Sequence, residues 1–470
     1  MNRKILLATT LVLTTSLAFA ASKKSKRGKI HTPRGVARLN TQCELIEGSG
    51  KVTGIRPDVP YTIASVSKVF TTFWAVSKLG PKYRFPHKIY VTPVAGDSFD
   101  VHIAGSDFPY FDKTMLQYLV SELNNNGVDQ INNLTFDEKF DYATNIRTNG
   151  GLVHQNRSLG TSSTERMLSN DLKKISAGYN TIVQKSFAID QVKMRSNINI
   201  KVNHIDFKSK KDFQTSGNTK VFVLNSSELY RVLKELNRNS HNFAADKIFE
   251  KLQSTGSFES FMKNSINVGS NEIKFYNGSG YPDESGPTKL YNKASCSAVV
   301  EMMDALRKVL VKNGLTLKDI MPTAGMDAAD DGQSTVSKIY GKTAGRGALI
   351  AKTGTVADTI ALAGLMSTSE GNIYFHTSYN YSGYGGQSQA YNGIRGILNR
   401  ELKENGKDTL DGFRPKAFLS FDNDSKMVAL KSADEKVEKV AQQDFTELDE
   451  MTGPELHAFE ANESIVLPMM

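Results

Sequence analysis

The chain has 470 residues, 39% hydrophobic and 23% charged, an ordinary globular composition too long for one compact core, so two or three domains are expected. Its net charge of +9 is uneven: Lys23, Lys24, Lys26, Arg27 and Lys29 crowd the start, while Asp434 to Glu463 is acidic. No basic stripe with interleaved aromatics runs through it, which argues against nucleic-acid binding, and two cysteines are too few for a metal site or a disulfide framework.

Arg3 and Lys4, an apolar run from Ile5 to Leu17, and Ala18-Phe19-Ala20 form the three regions of a secretory signal peptide over residues 1–20, with cleavage near Ala20/Ala21. No cysteine follows that point and no later apolar run reaches roughly 18 residues, so an exported, periplasmic product without a lipid or transmembrane anchor is expected. In that compartment Cys43 and Cys296 are equally compatible with a bridge and with two free thiols.

Residues 21–37 are rich in Lys, Ser and Gly. From Ala37 to Ile55, short apolar pieces around glycines predict strands at a sheet edge. Tyr61 to Ala75 then delivers Ser65 and Lys68 into the first turns of a buried helix that ends at Gly80-Pro81. Between Tyr83 and Ser226 the pattern becomes alternating strands with a few helical stretches, Lys113 to Asn126 and Thr164 to Val183 among them. Helical periodicity returns at Ser227 to Leu252, broken at Asn237 to Asn242, and a turn-rich loop spans Phe275 to Pro287. Ser295 caps a helix through Val311, Ile350 to Met366 reads as a buried hairpin followed by the strand from Asn372, and Tyr391 to Lys403 closes the domain. Past Gly412, AFLSF and MVAL predict one or two strands before an acidic tail. The resulting division is 1–20, 21–80, an inserted β-rich part at 81–226, 227–412, and 413–470.

Ser65 and Lys68, three apart, neighbour each other across a helical turn. A hydroxyl needs a base within hydrogen-bond reach to act as nucleophile, and a Lys whose pKa is lowered among Val66, Val69, Phe70, Phe73 and Trp74 can be that base. Alone the pair is weak: Ser260 and Lys263 repeat it, and Ser65 could simply be a helix N-cap. Two further motifs follow in order, Ser240-His241-Asn242 and Lys352-Thr353-Gly354. Ser-x-Asn also occurs at Ser216 to Asn218 and Ser265 to Asn267. The copy at 240 is preferred because a turn between two amphipathic helices can present both side chains to a cleft. Lys-Thr-Gly occurs once, and a glycine within a strand is costly unless something must approach its backbone.

Together these types suit acyl transfer. Ser65 is the nucleophile, Lys68 the proton acceptor, and Ser240 a route returning the proton to a leaving amine. Asn242 can hold a substrate amide, while Lys352 can depress the pKa of Lys68 and attract a substrate carboxylate that Thr353 also binds. Gly354 lets the acyl chain lie along the strand, and the backbone N–H groups of Ser65 and Thr355 could form an oxyanion hole. Each residue has an ordinary alternative, Lys352 as a solvated strand end, Ser240 and Asn242 as turn punctuation, Thr355 as a routine strand residue; jointly, in this order, those alternatives lose force.

The triplet matches the signature of serine penicillin-recognising enzymes. With AGSDFP (Ala104 to Pro109), NGSG (Asn277 to Gly280), MPTAGMD (Met321 to Asp327) and AKTGTVADTIALAGLM (Ala351 to Met366), the chain from about 37 to 400 resembles the class C low-molecular-mass penicillin-binding proteins, the D-alanyl-D-alanine carboxypeptidase/endopeptidase family. The resemblance implies an α+β fold: a β-lactamase/transpeptidase-like domain, an antiparallel sheet flanked by helices, carrying an inserted β-rich domain. It also implies a serine DD-peptidase acting on peptidoglycan stem peptides through a Ser65 acyl-enzyme, with β-lactams as covalent inhibitors and no metal or organic cofactor. The insert, Leu79 to Asn239, looks shorter than in fuller members, the segment after NGSG is longer, and the tail has no recognised counterpart. The rivals are a serine β-lactamase and a non-catalytic wall-binding protein that keeps the cleft.

Overall fold

The computed structural model describes residues 35–430, apart from 144, 149–150, 155–159, 270, 330–331, 384, 411–412 and 414. The expected signal peptide and the acidic tail lie outside the described residues.

Thr359–Thr368 is buried along its whole length, which its apolar run requires. It lies within a five-stranded antiparallel sheet ordered Leu349–Val356, Thr359–Thr368, Gly371–Ser382, Val36–Ile46, Val52–Ile55. Ala361, Ala363 and Leu365 face the core that includes helix Cys296–Lys312, while Ile360, Leu362 and Met366 face the one beneath helix Gly386–Glu404. The expected edge strands at 37–55 divide: Val52–Ile55 is the edge, but Val36–Ile46 is internal, because the Gly371–Ser382 strand pairs along it.

The helix that carries Lys68, Ser67–Leu79, is preceded by a 3₁₀ turn, Ala64–Val66, which holds Ser65, and ends at Gly80 with φ 76°. Ser67 through Val76 are all buried, because Phe70 and Trp74 pack into a cluster with Phe249, Phe258 and Phe275, and Phe73 meets Phe261. The rigid seat this gives Lys68 follows from the apolar sequence of the helix.

The inserted part is built around a six-stranded sheet ordered Val428–Ala429, Lys220–Asn225, Pro86–Val94, Ser98–Ala104, Gln130–Phe136, Lys201–Phe207. The first three pairings are antiparallel and the last two parallel, with helix Lys113–Asn125 as one crossover. The single helix expected over Thr164 to Val183 is two, Thr161–Leu172 and Tyr179–Asp190, with Gly178 in the left-handed region between them. AFLSF is not a strand. Phe421 instead stacks on Tyr118 at 4.1 Å, Asp422 meets Arg84 at 2.7 Å, and only Val428–Ala429 of the following segment joins the sheet. Of the two readings open for the cysteines, the structure has the bridge, with Cα atoms of Cys43 and Cys296 5.9 Å apart.

That bridge closes a loop of 253 residues and fastens the central sheet to the start of helix Cys296–Lys312. The Cys43→Ser, Cys296→Ser double variant is therefore expected to lose about 2–5 kcal/mol of stability. Urea unfolding checks this; a midpoint equal to wild type would mean the helix is held entirely by packing.

Candidate active site

Local backbone strain places Ser65. Ala64 is fully buried at φ 48°, where a non-glycine residue is held only by its surroundings, and the tight turn it makes directs the next residue, Ser65, out of the helix start. Those surroundings are identifiable: Ser67 Oγ donates to the Ala64 carbonyl at 2.7 Å, and Gly280 lies so close that a Cβ there would fall 2.0 Å from that same oxygen. From the other side, a Cβ on Gly354 would sit 2.6 Å from the Ile63 carbonyl and 3.2 Å from the Ser65 nitrogen. The glycine of Lys-Thr-Gly is thus where strand Leu349–Val356 closes onto the Ser65 turn, and it carries Thr355 to that turn.

Lys68 is fully buried. Its Nζ lies 3.0 Å from Ser65 Oγ, 2.7 Å from Asn242 Oδ1 and 2.7 Å from the Ser279 carbonyl oxygen. The last two can only accept, so they take two N–H groups, and in the neutral amine the lone pair is left facing the Ser65 hydroxyl. Burial brings the Lys68 pKa down to about 7, against an opposing pull from Asp246. Asp246, four residues after Asn242 on helix Asn242–Gln253, accepts from the Ser279 backbone N–H at 2.8 Å, and burial raises its own pKa. The NGSG loop carries that Ser279 carbonyl. It is fixed by Thr71 Oγ1 donating to the Gly278 carbonyl, Gly280 N–H donating to Asn277 Oδ1, and Asn292 Nδ2 donating to the Asn277 carbonyl.

The second cluster joins the other two motifs. Lys352, also fully buried, donates from Nζ to Ser240 Oγ at 2.8 Å and to the Thr353 carbonyl at 2.8 Å. Ser240 holds φ 56° at the end of helix Leu229–Asn239, a left-handed cap that turns its side chain toward the strand, and Asn242 begins the next helix. Burial and then Lys68 hold the Lys352 pKa well below its ordinary value. The sequence points to two causes for a lowered Lys68 pKa, its apolar surroundings and the charge of Lys352. In the structure burial is the leading cause and Asp246 opposes it, while the effect of the Lys68 charge falls on Lys352.

Thr353 Oγ1 donates to Thr335 Oγ1 at 3.1 Å, and Thr355 Oγ1, exposed, lies 3.2 Å from Tyr391 OH. The structure therefore brings Ser65, Lys68 and Asn242 into one bonded group, Ser240 and Lys352 into another, and Gly354 against the first. The competing copies are elsewhere: Ser260 and Lys263 are exposed on a surface helix, and Ser216, Asn218, Ser265 and Asn267 are exposed as well. Sequence reasoning missed Asp246, the Ser279 carbonyl, Thr335 and Tyr391. Only Asp246 left a local signal, its i+4 spacing from Asn242. Among the described residues no group of three or more His, Cys, Asp or Glu is placed to hold a metal ion, and no helix is long and apolar enough to cross a membrane.

Because Asp246 raises the Lys68 pKa, Asp246→Asn is expected to move the acid limb of the acylation rate below pH 7, by about one unit. The pH dependence of penicillin acylation reads this. A limb that stays put or moves upward would mean that Asp246 acts only as a structural acceptor for the Ser279 N–H.

The profile of the D-Ala-D-Ala carboxypeptidase 3 (S13) family matches residues 39–152 and 200–400. Among solved structures, the penicillin G-acylated predatory endopeptidase from Bdellovibrio bacteriovorus, in complex with an immunity protein, is 31% identical with a TM-score of 0.74. The alignment covers 84% of this chain and 100% of that one. A second predatory endopeptidase of that organism is 29% identical over the same shares, with a TM-score of 0.74. Penicillin-binding protein 4 from Haemophilus influenzae shares the fold at 15% identity, with a TM-score of 0.52 over 80% of this chain and 98% of that one. No curated protein matches the chain.

Proposed function

The chain belongs to the D-Ala-D-Ala carboxypeptidase 3 (S13) family, and on that premise we propose that it is an exported, periplasmic serine DD-peptidase that cleaves peptidoglycan cross-links through an acyl-enzyme on Ser65. The observation that carries this reading is Lys68: a fully buried amine whose two obligate acceptors leave its lone pair on the Ser65 hydroxyl, with a pKa of about 7. The endopeptidase arm is favoured over terminal trimming by relatives at 29–31% identity that are named endopeptidases.

In the proposed reaction Lys68 takes the proton as Ser65 Oγ attacks the carbonyl of a D-Ala residue. The N–H groups of Ser65 and Thr355 hold the oxyanion, and Gly354 lets the acyl chain lie against the strand. The tetrahedral adduct collapses with cleavage of its C–N bond, and the amine leaves with a proton passed from Lys68 through Ser240. Water activated by Lys68 then hydrolyses the ester and restores Ser65. Asn242 holds Lys68 and a substrate amide. Burial holds the Lys352 pKa well below its ordinary value, and an arriving substrate carboxylate, bound also by Thr353, would draw it back up. β-Lactams acylate the same hydroxyl.

The test is product analysis after incubating the purified protein with cross-linked muropeptide dimers and with pentapeptide monomers. Monomers released from dimers are expected. Loss of D-Ala from pentapeptides alone would replace the endopeptidase reading by a carboxypeptidase one, and fast turnover of penicillin with neither product would favour a β-lactamase.

A further inference from the structure

The insert's sheet has two faces. Ile89, Val101 and Ile103 on one are buried in the core with helix Lys113–Asn125, whereas the other carries a groove of about 380 Å³, within the roughly 300–1,000 Å³ range of small-ligand sites. The strand register lays its floor in rows. Tyr90, His102, Thr135 and Asp206 are cross-strand neighbours on four successive strands. Beside them Thr92, Asp100 and Asn133 form a second row. Phe213, from the segment between the last two of the longer strands, stacks flat on the His102 ring at 3.8 Å and 12° and meets Tyr90 at 4.8 Å, giving the groove a half-buried aromatic wall.

The lining chemistry selects a ligand class. Asp100 and Asp206 outnumber the one lysine of the lining, Lys208, and disfavour an anion. His102 is kept neutral by burial and by Lys208, with a pKa of about 4, and its Nδ1 pairs with Thr135 Oγ1 at 2.9 Å. Carboxylates, amides and hydroxyls beside aromatic rings match a neutral, hydroxyl-rich ring compound, whose C–H faces pack on the aromatics while its hydroxyl and amide groups exchange hydrogen bonds with the floor. We propose that this groove binds the N-acetylated amino-sugar backbone of peptidoglycan, so that the insert holds the glycan while the cleft at Ser65 works on the peptide. The substrate assignment rests on the DD-peptidase reading; the groove itself does not use any residue of the catalytic cleft.

The test uses the full mature chain and two probes, the β-1,4-linked N-acetylglucosamine trimer and peptide-free glycan strands, titrated by calorimetry. Wild type is expected to bind both, Phe213→Ala to lose about fivefold to tenfold in affinity, and the exposed Asp206→Asn to weaken binding without any bearing on folding. Both variants are expected to cleave soluble muropeptide dimers as wild type does but to solubilise intact sacculi more slowly. No binding by wild type, or equal binding by both variants, overturns the groove assignment. Lost binding with sacculi still solubilised at the wild-type rate overturns its anchoring role. If wild type binds glycan yet cleaves no dimer, the groove stands and the peptidase reading falls.

Discussion

Replacing Ser65 by alanine is expected to reduce both muropeptide cleavage and penicillin acylation by about 10⁴-fold or more, with the fold unchanged. The loss is large because every step runs through the Ser65 oxygen, and no second hydroxyl shares its position at the strained Ala64 turn. Stability is spared because the hydroxyl's bond is to Lys68, which keeps Asn242 and Ser279 as partners, so the cost is about 1 kcal/mol. Steady-state cleavage of cross-linked dimers together with a thermal melt checks both halves. Activity within tenfold of wild type, at an unchanged melting temperature, would place the nucleophile elsewhere.

Lys68→Arg is expected to lower acylation by about 10²–10⁴-fold, since a guanidinium stays protonated and offers Ser65 no lone pair. Wild type should show the corresponding titration. The neutral amine is the active form, so the rate rises with pH through about 7 and levels off above it, and protonation on the acid side removes the base. Burial sets that position, first by penalising the charged form, while Asp246 resists it. Stopped-flow penicillin acylation from pH 5 to 9 reads the limb directly; a rate independent of pH across that range would exclude Lys68 as the base.

What could be read from the sequence was local. Ser65, Lys68, Ser240, Asn242 and Lys352 belong to short motifs whose spacing fixes side-chain direction on a helix, at a helix end or on a strand, and the long apolar run at 359–368 announced the buried centre of the sheet. The rest depends on chain segments meeting across long separations. The Ser279 carbonyl reaches Lys68 from 211 residues away, and nothing in NGSG marks a backbone oxygen as a proton-site partner. Parallel pairing of Ser98–Ala104, Gln130–Phe136 and Lys201–Phe207 is invisible to alternation, which looks the same in either direction. AFLSF alternates well enough for a strand, but its Phe421 is used against Tyr118 instead, a tertiary choice that local pattern does not record. That burial leads the depression of Lys68 likewise depends on long-range packing that closes over both amines.

The most direct test of the Ser65 acyl-enzyme is intact-mass analysis of the mature protein after brief exposure to penicillin G, followed by peptide mapping of the adduct. The account expects a single penicilloyl group, carried by the peptide containing Tyr61 to Lys68 and absent from Ser65→Ala. An adduct on any other peptide, or none in a protein that still releases monomers from cross-linked dimers, would contradict it.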